Sequence, residues 1–378
     1  MRERPIRVAM IGQKGYPPIH GGIEKHVAEL ATRLGQLGIQ IEIYSRPHYS
    51  QHQGETGESG VLVRRLPSIP TKHLDAISHS FLATLDALPR AVDIFHYHAI
   101  GPGLLAGLPR WLARKPTIVT VHGLDWQREK WGKFATTVLR VGEFGSVRLP
   151  HETIVVSRAL QDHFFLHHNR KTRYIPNGIS PPKYREPSLI REKGIAGSYL
   201  LFVGRLVPEK GCHLLLEAHA NLPEQLRKEF TLVIAGDTGF THGYVQELRN
   251  TAGENVQFLG YVHGPILDEL YTNASLVVLP STLEGLSITL LEGMSYGRCC
   301  LVSDIPPNRE AAAGYAPLFP SGDVRSLTAR LADLLKDPER CQTYGQQAQL
   351  HVVENYSWDH VTQQTASLYR ELVGRANG

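Results

Sequence analysis

His122, Arg205, Lys210 and Glu284 each stand at or just beyond the end of an apolar run, and Glu292 lies eight positions past Glu284. In FVGRLVPEKG, Arg205 and Lys210 are two cations five positions apart on a loop that leaves a strand and enters a helix. Arginine offers a bidentate fork and lysine a point charge, so the pair suits a diphosphate. In PSTLEGLSITLLEGMSYG, Glu284 falls in a loop after a strand, whereas Glu292 falls inside the next helix among Ile288, Leu290 and Leu291. A carboxylate in apolar company needs a hydrogen-bonding partner. Ribose or hexose hydroxyls meet that need, as do a surface setting or a structural pair, and the two acids alone do not choose between them. His122 ends PTIVTVH and is followed by Gly123 and Asp125. Of the 19 histidines, His26, His96, His98, His167 and His168 lack such a setting and are read as structural.

A further loop, QKGYPPIHGGIEKH, follows the first strand and opens a helix. Gly21 and Gly22 let a phosphate approach the backbone at a helix N-terminus, where unpaired N–H groups and the dipole favour an anion. A tight strand-to-helix connection explains the same glycines equally well. The glycine spacing is not G-x-G-x-x-G, which counts against a nicotinamide cofactor. Neither a G-x-S-x-G elbow nor a G-x-x-x-x-G-K-[ST] loop occurs, and no metal is expected.

Elements that position these residues follow from pattern. The apolar run Ile6 to Gly12 reads as a central parallel strand. The helix after it, Ile23 to about Leu37, carries Ile23, Val27, Leu30, Ala31 and Leu34 on one stripe, and Gly38 stops it. Strand-like and helical runs alternate up to TRYIP and restart at YLLFVG, which predicts an α/β fold of two Rossmann-like, doubly wound parallel-sheet domains facing a central cleft. Ligands of such sheets bind beyond the carboxyl ends of the strands. The proline- and glycine-rich stretch 177–197 is the expected linker, giving domains 1–180 and 181–355. The terminal segment 356–378 carries Trp358, Val361, Thr365 and Leu368 on one stripe, suited to packing outside its own sheet.

A chain of 378 residues with 42% hydrophobic and 20% charged residues is too long for one ordinary domain and is neither disordered nor fibrous. No apolar run reaches the roughly 18 residues of a membrane span, and no secretory signal is read, so a cytoplasmic location is expected. Cys212, Cys299, Cys300 and Cys341 show no C-x-x-C spacing and are expected to be reduced and mostly buried. Charge is asymmetric: residues 1–185 hold 25 Lys and Arg against 14 Asp and Glu, and residues 186–378 hold 15 against 22. A basic first half can face nucleic acid, an anionic membrane or a phosphorylated substrate.

Taken together, Gly21–Gly22, VHG at His122, VSRAL at Ser157, PNGI at Asn177, FVGRLVPEKG, IAGD at Asp237, GYV at Gly260 and the E-x7-E element resemble the family 4 retaining glycosyltransferases, which have the GT-B fold. The resemblance covers nearly the whole chain, and the order and spacing of these motifs make it specific. It implies that Arg205 and Lys210 hold the diphosphate of a nucleoside-diphosphate sugar of UDP or GDP type. It further implies that Glu292 binds the ribose, Glu284 the transferred sugar, His122 the sugar near its 6-position, and the Gly22 backbone the phosphates. Gly204, Asp237, Gly285, Leu286, Ser287 and Ile288 complete the implied donor site. Ser287 stands where many members have glycine, which bears on donor-sugar preference. The closing helix from YSW is implied to cross back onto the first domain.

Implied chemistry is metal-independent transfer with retention to a glycan or lipid-diphosphate acceptor, in polysaccharide or glycolipid synthesis. Arg110, Arg114, Lys115, Arg128, Lys130 and Lys133, interleaved with Trp131, suit contact with an anionic membrane, and an ordinary solvated face explains them too. No nucleic-acid motif accompanies the charge. Two other functions share the architecture: a nucleotide-sugar 2-epimerase, and a non-catalytic nucleotide- or glycan-binding subunit.

Overall fold

The computed structural model describes residues 4–19, 21–50, 52–56, 60–71, 74–127, 132–237 and 242–377. It divides into two compact units, the first running to Gly178 and resuming at Trp358, the second spanning Ile179–Ser357.

In chain order the first unit contains β1 (Arg7–Ile11), α1 (Gly22–Gln36), β2 (Gln40–Ser45), β3 (Gly54–Thr56), β4 (Val61–Arg65), α2 (Asp75–Ala87) and β5 (Ile94–His98). There follow α3 (Ile100–Gly103), α4 (Gly107–Leu112), β6 (Thr117–Val121), α5 (Lys133–Arg148), β7 (Glu152–Val155), α6 (Arg158–His168) and β8 (Arg173–Tyr174). Among the described residues its sheet has the order β3-β4-β2-β1-β5-β6-β7-β8, parallel apart from β3, which pairs antiparallel to β4. β1 is central because both its faces are covered: Val8, Ala9, Met10 and Ile11 are fully buried. The α1 stripe folds onto that strand with Val27, Leu30, Ala31 and Leu34 buried, each large aliphatic side chain contributing about 1.5–3 kcal/mol.

The second unit contains α7 (Leu189–Glu192), β9 (Tyr199–Val203), α8 (Cys212–Ala220), α9 (Glu224–Glu229), β10 (Thr231–Ala235), α10 (His242–Thr251), β11 (Val256–Gly260) and α11 (Pro265–Asn273). It continues through β12 (Leu276–Leu279), α12 (Ile288–Ser295), β13 (Cys300–Ser303), α13 (Pro306–Ala312), β14 (Leu318–Phe319), α14 (Val324–Leu335) and α15 (Pro338–Asn355). Its sheet is wholly parallel, in the order β11-β10-β9-β12-β13-β14, over a core that includes Phe202, Leu215, Ile234, Val278 and Leu301. The stretch after Gly178 is tied into this unit: Ile179 N donates to Tyr356 O (2.7 Å), and Ser188 N and Ile190 N both donate to the buried carboxylate of Glu269.

The last helix, α16 (Trp358–Asn377), belongs to the first unit, where Trp358, Val361, Leu368, Tyr369 and Leu372 join the core of β1 and α1. All four cysteines are free thiols; Cys212, Cys299 and Cys300 are buried. Among the described residues no helix is long and apolar enough to cross a membrane.

Candidate active site

In the second unit three post-strand loops touch backbone to backbone. Gly204 N donates to Ala235 O (3.0 Å) and Leu206 N to Asp237 O (3.1 Å), binding the loops after β9 and β10 together. A Cβ on Gly236 would stand 1.8 Å from Gly204 O, so only glycine fits there. Gly211, at φ +69°, brings the start of α8 against the end of β12, where a Cβ would lie 2.1 Å from Pro280 O. Thr282 N closes the third side by donating to Glu209 O (2.9 Å).

This convergence places Lys210 Nζ 2.5 Å from Glu284 Oε1, with side chains 20% and 9% exposed. The two residues lie on separate loops, and the fold makes them an ion pair. Arg205 lies partly buried beside Gly204, whereas Asp237 is exposed and contributes its backbone carbonyl to the loop contact. Gly285, Leu286 and Ser287 are buried, and Ile288 is partly so. Ser287 is the N-cap of α12, its Oγ accepting from Leu290 N (3.3 Å), which fixes the helix start that Glu284 and Lys210 precede.

Glu292, on the second turn of α12, accepts from Tyr271 OH (3.1 Å). Tyr271 is 2% exposed, and burial followed by the Glu292 charge pushes its hydroxyl well above the ordinary value, so it stays a donor. The partner demanded by a carboxylate among buried neighbours is therefore a tyrosine on α11. No spacing in the sequence announces it.

The first unit assembles a group whose members are scattered along the sequence. β5 and β6 are adjacent and parallel, so their carboxyl ends bring His98 Nδ1 within 3.2 Å of His122 Nε2. From α1, His26 stacks edge-on to His122 with centroids 4.8 Å apart, and its Nδ1–H donates to Asn177 Oδ1 (2.9 Å). His96, two residues back on β5, stacks on His98 and bonds Tyr369 OH and Thr120 Oγ1, each at 2.7 Å. Burial drives all four imidazoles down, His26 to about 4 and His96 to about 3, and their mutual repulsion deepens the effect for His96, His98 and His122. They are neutral, so His122 meets a partner as an uncharged donor or acceptor. Singly, His26, His96 and His98 read as structural; β5–β6 pairing, invisible in one dimension, is what brings His96 and His98 to His122.

The loop at Gly21 and Gly22 holds a carboxylate of its own. Buried Glu24 accepts from Lys14 N (3.1 Å), and a Cβ on Gly21 would lie 1.9 Å from Glu24 Oε2. Gly21 therefore makes room for Glu24 at the start of α1.

Of the basic candidates, Arg110 donates to Leu149 O (3.0 Å) and Pro150 O (2.9 Å), closing the end of α5. Arg114 sits at φ +52° beside Lys115, after the exposed Trp111 and Leu112. Arg128, Lys130 and Trp131 lie outside the described residues; Lys133 begins α5. Exposed Val138, Val141 and Phe144 follow at three-residue spacing on α5, with Arg148 over the Phe144 ring. A second cluster joins α5 to α6: Glu143 Oε1 lies 2.8 Å from His163 Nε2 and 2.6 Å from His168 Nε2, and Trp126 Nε1 donates to the other oxygen. Burial pushes the Glu143 carboxyl up, and these three hydrogen bonds outweigh it and hold the group below its usual range. The sequence signal for this cluster is HFFLHH, which carries both His163 and His168 on α6.

Comparison with known proteins matches residues 20–183 to the family described as Glycosyltransferase Family 4 and residues 184–351 to the family described as Glycosyl transferases group 1. An uncharacterized glycosyltransferase of Methanocaldococcus jannaschii is 26% identical over 98% of this chain and all of its own length. Alpha-maltose-1-phosphate synthase of Mycolicibacterium smegmatis is 25% identical over 97% of this chain and all of its own. Among solved structures, Anabaena HepE in complex with UDP and glucose superposes with a TM-score of 0.79 at 20% identity, covering 97% of this chain and all of that one.

Proposed function

We propose that this chain, which belongs to the family 4 glycosyltransferases with the GT-B fold, moves a sugar with retention from a nucleoside-diphosphate sugar to a hydroxyl of a glycan or lipid-linked acceptor. The observation that carries the donor assignment is the Lys210–Glu284 pair at the meeting of three post-strand loops, immediately before α12. Breaking a sugar–phosphate bond requires positive charge on the departing diphosphate, which Arg205, Lys210 and the α12 N-terminus supply. Glu284 hands Lys210 to the phosphate and is freed to accept from sugar hydroxyls; Glu292, held by Tyr271, accepts from the ribose. His122 bonds a sugar hydroxyl as a neutral imidazole. The leaving phosphate oxygen takes the acceptor proton, so neither glutamate acts as an acid–base pair. A UDP-type donor is the first candidate, since the HepE complex holds UDP.

The acceptor side is proposed to involve an anionic membrane surface at the first unit, where exposed Trp111, Leu112, Val141 and Phe144 stand among Arg114, Lys115, Arg140 and Arg148. We further propose a role in surface polysaccharide or glycolipid synthesis.

The test is unfolding of the whole chain with UDP, GDP, ADP and dTDP, followed by product analysis with the matching sugar nucleotides. A diphosphate at about 100 times its Kd adds about 2.7 kcal/mol, a shift of a few degrees. Lys210→Ala should abolish that shift, and NMR of the product should show the donor's anomeric configuration. An epimerised nucleotide sugar in place of a glycoside, or turnover unchanged in Lys210→Ala, overturns the reading.

A further inference from the structure

The transferase reading uses His122 but gives no work to His26 or His98, which crowd it from two sides. His98 is fully buried, with its Nδ1 turned to His122 Nε2. The three rings each offer a nitrogen, and these nitrogens lie within 4.8 Å of one another.

We propose that His26, His98 and His122 form a binding site for one borderline divalent cation of the zinc class, coordinated through three imidazole nitrogens. Geometry favours a tetrahedral ion. Zn–N bonds of about 2.0–2.1 Å at tetrahedral angles set the ligand nitrogens roughly 3.3 Å apart, and His98 Nδ1 and His122 Nε2 already stand 3.2 Å apart. His26 completes the triangle by closing at most about 1.5 Å. Its ring is already oriented for the task, because Nδ1–H donates to Asn177 Oδ1 and leaves the Nε2 lone pair for a metal. This is the arrangement by which outer partners fix a ligating histidine.

Ligand chemistry selects the ion. Three neutral imidazoles and no carboxylate suit Zn²⁺, Cu²⁺ or Ni²⁺ and offer little to Mg²⁺ or Ca²⁺, which require oxygen ligands. A fourth position stays open for water or a substrate hydroxyl. Occupancy commits the His122 Nε2 lone pair and leaves Nδ1–H as the donor that ring can offer a sugar hydroxyl. This consequence rests on the proposed function; the site itself does not.

The experiment uses the full chain freed of metal by a chelator, without nucleotide or sugar. Zn²⁺ is followed by calorimetry and Co²⁺ by visible absorption. Expected are one tight equivalent of Zn²⁺, an intense tetrahedral Co²⁺ spectrum that Mg²⁺ does not displace, and loss of both in His98→Gln and in His26→Gln. Asn177→Ala, which frees the His26 ring, should weaken binding about 10–100-fold. The double variant His163→Gln/His168→Gln, at the Glu143 cluster, should bind Zn²⁺ as the parent does. Circular dichroism and unfolding midpoints establish that the variants fold, and if His98→Gln does not, the Co²⁺ spectrum of the parent decides. A weak octahedral Co²⁺ spectrum, Zn²⁺ binding that survives both His26→Gln and His98→Gln, or binding abolished by the His163/His168 double variant overturns the proposal. None of these outcomes touches the nucleotide test at Lys210.

Discussion

Replacing Lys210 by methionine should cost the second unit stability as well as activity, and only the first of these should be recoverable. Lys210→Met leaves the Glu284 carboxylate, 9% exposed, without its cation at 2.5 Å. A hydrogen bond to a charged group contributes about 1.5–3 kcal/mol. The 20% exposure of the lysine puts the pair below the about 3–5 kcal/mol lost when a fully buried ion pair is broken. A loss of about 2 kcal/mol follows, or about 4–8 °C in Tm for a unit of this size. Glu284→Gln should cost less, about 1 kcal/mol, because the freed ammonium reaches water and an amide oxygen still accepts from it. In Lys210→Met/Glu284→Gln neither charge is left stranded, so the double variant should sit within about 1 kcal/mol of the parent. Turnover should nevertheless fall by orders of magnitude in all three, because in the proposed reaction the diphosphate loses its cation or the sugar its carboxylate. Calorimetry on the transition that nucleoside diphosphate shifts, with sugar-transfer rates on the same preparations, reads both quantities. An unchanged Tm in Lys210→Met refutes the pair, and turnover restored in the double variant refutes the role given to it.

Two further outcomes test the frame around the site. His79, fully buried on α2, is held at about 4 by burial and then by Arg46, against an ordinary 6.5. The unfolded chain therefore binds the extra proton first, so this stability is present above pH 6.5 and is lost as pH falls towards 4. The slope is about 1.4 kcal/mol per pH unit; urea midpoints between pH 7 and 4.5 should show it, and His79→Leu should remove one proton from the slope, with an identical slope in the variant contradicting the assignment. Gly236→Ala places a methyl 1.8 Å from Gly204 O, where backbone rather than a side chain must give way. It should cost about 1–3 kcal/mol and raise the donor KM by splaying the loops that hold Arg205; an unchanged KM with an unchanged Tm would contradict the close approach.

Much of the frame is written locally. The α1 stripe and the stripe at Trp358, Val361, Thr365 and Leu368 are properties of single segments, and in the structure all but the partly buried Ile23 are buried. The apolar runs that became β1, β9 and β12 are equally local. Partners across elements are not: Tyr271 reaches Glu292 from another helix, and His98 reaches His122 only because β5 lies between β1 and β6 in the sheet. Strand order is set by which faces bury best against which helices, and one segment's periodicity carries no record of it.

Glycines show the same divide at the level of single atoms. Gly21 and Gly22, which the sequence offers as points where backbone can approach phosphate, stand in the loop between β1 and α1. What the glycines accommodate is mostly the protein itself: Gly12 meets His98 O, Gly211 meets Pro280 O, Gly236 meets Gly204 O, and Gly21 meets the carboxylate of Glu24. A residue without Cβ is required wherever two post-strand loops touch, and such contact is what holds side chains from different strands at one place. At α1 the helix end that favours an anion has one in Glu24, which favours the N-terminus as phosphate would. Diphosphate binding in the proposed reaction therefore leans on Arg205, Lys210 and α12, where Ser287 caps with a hydroxyl and brings no charge of its own.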